Sequence, residues 1–147
     1  MKRLLLLSVV ALSACDSFTV GNPAQNQLDT ALRRWNEVGS ASYEYKLRRI
    51  CLCVPETTHT LRIRVQSGQI TSVFDLDTNL PASSTTAGLT VPGLFDIVQD
   101  AIDRRAFRLI VEYEQQLGYP TAIAVDYDDG TADDEITYLA TELAPIP

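Results

Sequence analysis

The stretch Leu61-Arg62-Ile63-Arg64-Val65 alternates apolar and basic residues, Ser67-Gly68 follows, and Ile70 to Phe74 supplies a second apolar run. A period of two presents one face to a core and the other to water only in an extended strand, and Ser-Gly offers the positive φ that a tight turn needs. The chain is therefore committed to an antiparallel hairpin and to a sheet with one wet face. Tyr43, Tyr45 and Leu47 alternate with Glu44, Lys46 and Arg48, which predicts a strand running on toward Cys53 until Val54-Pro55-Glu56 ends it. Leu109, Val111 and Tyr113 alternate again, Gly118-Tyr119-Pro120 makes a bend, and Thr121 to Tyr127 and Ile136 to Leu143 complete the set.

Two segments carry the helical period instead. Asn22 is a cap, Pro23 suits the first turn, and Leu28, Leu32 and Trp35 recur at helical spacing as far as Val38, with Gly39 as a stop. Thr90 and Pro92 open a second helix whose stripe is Leu94, Phe95, Val98, Ala101 and Ile102, and which closes over Asp103 to Ala106. Asp75 to Gly88 is rich in turn residues and reads as a loop. The order is αβββ, loop, αβββ, and the expected class is α+β. Two αβββ-like halves would form a mainly antiparallel, meandering sheet of about six strands, with both helices on one face. Repetition of element order without residue identity suggests, and does not establish, an internal duplication. The other sheet face must meet solvent or a partner.

A hydrophobic share of 46% and a charged share of 21% over 147 residues suit a single folded domain, here residues 23–147, rather than a disordered chain. The net charge of -7 excludes the basic footprint that binding a phosphate backbone requires, so nucleic acid is not an expected partner.

Lys2 and Arg3 precede the apolar stretch Leu4 to Leu12, which is too short to span a bilayer and has the charged-apolar-small order of an export signal. Leu12-Ser13-Ala14-Cys15 resembles the lipobox of bacterial lipoproteins. That resemblance implies cleavage after Ala14, a signal peptide over residues 1–14, and a diacylglyceryl thioether on Cys15, with residues 15–22 as lipidated cysteine and tether. The expected location is the periplasmic face or cell surface of a bacterium. Asp16 resembles an inner-membrane retention signal. Two or three acyl chains would hold the domain at a membrane despite its acidity. Removing Lys2 and Arg3 leaves ten basic side chains against nineteen acidic ones.

With Cys15 assigned to lipid, Cys51 and Cys53 remain in an oxidising setting. On one face of a flat strand their Cα atoms would stand roughly 6.6 Å apart, near the upper limit for a disulfide. A structural bridge is the plainer reading. A reducible redox pair, with Arg48 and Arg49 favouring a thiolate, is the alternative. His59, the single histidine, would complete a Zn or Cu(I) site only if Cys51, Cys53 and a fourth ligand such as Glu56 converged on it; otherwise it is a solvated strand-edge residue. No Gly-x-Ser-x-Gly elbow accompanies it, which argues against a serine hydrolase. Asp126, Asp128, Asp129, Asp133, Asp134 and Glu135 surround Gly130 in an expected hairpin loop. Their spacing fails the EF-hand pattern and leaves a weaker calcium site or a solvated acidic turn.

Trp35, Tyr43-Glu44-Tyr45, Val65-x-x-Gly68-x-Ile70-x-x-Val73, Leu94-Phe95, Gly118-Tyr119-Pro120-Thr121 and Asp133-Asp134-Glu135-Ile136 together resemble a bacterial family of uncharacterised exported proteins, known only as a domain of unknown function. The resemblance spans most of the mature chain and implies a fold unit and export, with no catalytic residue or cofactor. The expectation is a non-catalytic, lipid-anchored envelope module binding an envelope protein or component through its open sheet face or its acidic hairpin. The alternative is thiol-redox or metal handling through Cys51, Cys53 and His59.

Overall fold

The computed structural model describes residues 22–82, 84–130 and 134–147. The export signal and Cys15 lie outside the described residues, as does Asp133. Helix α1 spans Pro23–Val38 and α2 spans Val91–Asp103. Each begins as the sequence predicts. The Asn22 side chain accepts from the Ala24 N–H at 3.1 Å, and the Thr90 hydroxyl accepts from the Gly93 N–H at 3.1 Å, satisfying amides that the first turn leaves without helical partners.

The strands are β1 (Tyr43–Cys51), β2 (Leu61–Gln66), β3 (Gln69–Asp75), β4 (Leu80–Pro81), β5 (Arg108–Tyr113), β6 (Pro120–Asp126) and β7 (Ile136–Pro145). They form one antiparallel sheet in the order β4-β3-β2-β1-β7-β6-β5. The α+β class stands, with seven strands rather than six. The added one, β4, is a two-residue edge strand inside the segment read as loop, too short to show any period. Ser67 and Gly68 both take positive φ, 48° and 78°, as a two-residue hairpin turn requires.

The sheet is also not a simple meander. The last strand, β7, inserts beside the first, β1, and joins two meanders at the centre. The halves β3-β2-β1 and β7-β6-β5 keep the same order but run in opposite directions. Superposing them would require turning the sheet over, which would put the helices on opposite faces. Both helices in fact contribute to one core, and Gln25 and Gln99 exchange hydrogen bonds of 3.0 Å between them. The αβββ repeat is one of element order, not of structure.

That core is built where the alternations meet the helical stripes. Tyr43, Tyr45, Leu47, Ile63, Val65, Ile123 and Val125 face Leu28, Trp35, Val91, Leu94, Phe95 and Val98, all buried. Trp35 meets Tyr43 and Tyr119 edge-on, at 5.5 and 6.3 Å between ring centroids. The Tyr43 hydroxyl accepts from the Val91 N–H at 2.8 Å, and the Tyr45 hydroxyl donates to the Leu89 carbonyl, so two core tyrosines fix the start of α2. Among the described residues no helix is long and apolar enough to cross a membrane.

Candidate functional site

A concavity of about 670 Å³ lies between α1 and the turn that joins β5 to β6. One wall is the polar side of α1, where Asn26, Thr30, Arg33 and Glu37 recur at helical spacing beside the buried Leu28 and Trp35. Tyr113, Glu114, Gln115 and Gly118 make the other wall.

Several bonds fix the two walls. Arg34 Nε donates to the Gln116 carbonyl at 2.9 Å and pins the turn to the helix. The Glu114 carboxylate accepts from the N–H groups of Gln116 and Leu117, and the Gly118 N–H returns to the Glu114 carbonyl at 2.9 Å. Gly118 has a φ of +84°, and a Cβ there would stand 2.5 Å from the Ala31 carbonyl oxygen. Only glycine allows the turn to approach α1 this closely.

Arg34 and Glu114 are thus consumed by the scaffold, whereas Arg33, Glu37, Gln27 and the Tyr113 hydroxyl have no side-chain partner among the described residues. Tyr113 stacks on Phe95 with 6.4 Å between centroids, and burial pushes its hydroxyl up to about 12, so it stays a hydrogen-bond donor at neutral pH. The groove offers a cation, an anion, a phenol donor and carboxamides. Among the described residues, its lining sets no nucleophile beside a base.

The residues singled out by sequence lie elsewhere. Cys51 and Cys53 are joined, their Cα atoms 5.2 Å apart. The expected continuation of the strand through Cys53 is corrected: β1 ends at Cys51 and the chain bends at Leu52 and Cys53, which brings the Cα atoms inside the usual disulfide span. With both sulfurs bonded, neither is a thiolate ligand. His59 Nδ1 lies 2.7 Å from Asp75 Oδ2, and no group of three or more His, Cys, Asp or Glu gathers for a metal among the described residues. At the acidic hairpin, Asp126 is only 8% exposed; its carboxylate accepts from the Asp128 N–H, and Asp128 in turn accepts from the Gly130 N–H. These acids tie off their own turn, a local reason for aspartates at these positions. Tyr127 is held beneath Arg104 at 3.9 Å and donates to Asp100 at 2.7 Å, fastening the hairpin to α2.

The groove residues Arg33, Glu37 and Tyr113 carried no signal that sequence reasoning could isolate. Polar residues on an amphipathic helix look alike whether they face water or a cleft.

Fold and site define an α+β domain with two helices, a seven-stranded antiparallel sheet and a polar groove. The chain belongs to a family of unknown function, DUF6174, whose model matches residues 27–145. No curated protein and no solved structure gives a significant match.

Proposed function

We propose that the chain is a lipid-anchored, non-catalytic binding domain of the bacterial envelope, and that the groove between α1 and the β5–β6 turn is its ligand site. The observation carrying the reading is the pairing of a rigid, scaffolded cleft of about 670 Å³ with polar groups that the fold itself leaves unused. A charged group of each sign, Arg33 and Glu37, beside the Tyr113 hydroxyl matches a short peptide with a free carboxylate and an ammonium group. The order of charged, apolar and small residues ending in Leu12-Ser13-Ala14-Cys15 supports export and anchoring.

The test is a chemical-shift titration of the protein with short peptides and cell-wall fragments bearing free carboxylates. Shifts clustered at Arg33, Tyr113 and Gln115, lost in Arg33→Ala and unaccompanied by turnover of the peptide, are the expected result. Shifts confined to other surfaces, or cleavage of the peptide, would overturn it.

A further inference from the structure

No described helix covers the outer face of the sheet, and the strand registers sort it into rows. Across β1, β7, β6 and β5, directly opposed residues read Arg48, Leu139, Ala122, Glu112. The adjacent row reads Ile50, Thr137, Ala124, Ile110. Opposed residues share a face, and these lie away from the core, because the alternate positions Leu47, Ala140 and Ile123 are the buried ones. Ile50 and Ile110 are 48% and 47% exposed. Neither the Arg48 guanidinium nor the Glu112 carboxylate has a partner among the described residues.

Each row has a symmetry of kind. The first runs cation, large apolar, small apolar, anion; the second has an isoleucine at each end and small residues between. A two-fold axis parallel to the strands, lying between β7 and β6, lays β1 of one copy over β5 of its partner. Arg48 of each copy then faces Glu112 of the other, Leu139 faces Ala122, and Ile50 faces Ile110. Within these two rows charge meets opposite charge, Leu139 meets the smaller Ala122, and isoleucine meets isoleucine, as an isologous interface between two packed sheets requires.

We propose that this face is a self-association surface and that its occupant is a second copy of the chain. Four strands about 4.8 Å apart and about six residues long present roughly 400 Å² per copy, below the range of stable specific interfaces and suited to a weak, reversible dimer. Leu52, 75% exposed, follows directly on the end of β1.

The test is site-specific photo-crosslinking of the full chain in its host cells, with a photoreactive residue replacing Leu139. A crosslinked species of twice the monomer mass is expected. Arg48→Glu and Glu112→Arg should each reduce it by about tenfold or more, since each places two like-charge contacts in the symmetric interface. The double variant Arg48→Glu with Glu112→Arg should restore it. Arg48 and Glu112 are exposed and Leu139 is half-buried, and a matched melting temperature confirms folding. No crosslink, a crosslink to a species of different mass, or single reversals without effect would overturn the proposal.

Discussion

His59 Nδ1 stands 2.7 Å from Asp75 Oδ2, which clips the loop after β1 to the end of β3. Asp75 also accepts from the backbone N–H groups of Asp77 and Thr78 at 2.9 and 3.1 Å. The side chains are 22% and 15% exposed. Hydrogen bonding to Asp75 raises the His59 pKa above its ordinary 6.5. Burial alone would raise Asp75, but the bonds from His59 and from the Thr78 and Asp77 backbone outweigh it and bring the carboxyl from 3.8 to about 2.

The clip should therefore make stability depend on pH in a defined window. The His59 contribution is complete below 6.5 and is lost as pH rises through its raised folded value; the Asp75 contribution is complete above 3.8 and is lost as pH falls toward about 2. The difference in melting temperature between the native protein and His59→Gln should be largest between those limits and shrink on either side. A difference that does not change with pH would show that the pair is not linked to folding.

The Cys51–Cys53 bond closes a very short loop, and in the chain-entropy model such a bond removes little freedom from the unfolded chain, about 1–2 kcal/mol. Replacing both cysteines by serine should cost about that amount in urea unfolding and leave groove binding unchanged. Loss of binding would tie the disulfide to function instead.

Trp35 is buried between Tyr43 and Tyr119 and links α1 to the sheet. Trp35→Ala should cost about 3–5 kcal/mol, measured as a shift in the urea midpoint at unchanged slope. A cost below about 1 kcal/mol would mean that α1 contributes little to the cooperative unit.

Gly118→Ala faces a positive φ and a carbonyl 2.5 Å from the new methyl, so it should destabilise by more than 1 kcal/mol and push the turn away from α1. Arg33→Ala, on the exposed wall of the same groove, should leave stability within about 0.5 kcal/mol and weaken carboxylate binding roughly tenfold. Equal effects of the two on stability would contradict the division between scaffold and ligand groups.

Local structure was legible where a period was long enough to read. Asn22 and Gly39 bound α1, Thr90 caps α2, and the hairpin of β2 and β3 turns at Ser67-Gly68, all as the residues indicate. Sheet order was not legible, because the pairing of Leu47 with Ala140 joins residues far apart in the chain and neither strand's alternation names its neighbour. The β1 end was overrun by two residues, since Leu52 and Cys53 continue the apolar alternation while the backbone bends. A Cys51–Cys53 bridge was the plainer reading, but the bend that shortens its span, the His59–Asp75 clip and the groove could not be read: each depends on geometry set only by the fold.

The tether is tested most directly by the intact mass of the protein isolated from its own host, recorded before and after reduction. The predicted mass is that of the chain from Cys15 to Pro147 plus a diacylglyceryl group, with or without one further acyl chain on the new amino group, rising by two hydrogens on reduction of Cys51 and Cys53. A chain that keeps Met1, or one cleaved elsewhere and carrying no lipid, would contradict the envelope-anchored reading.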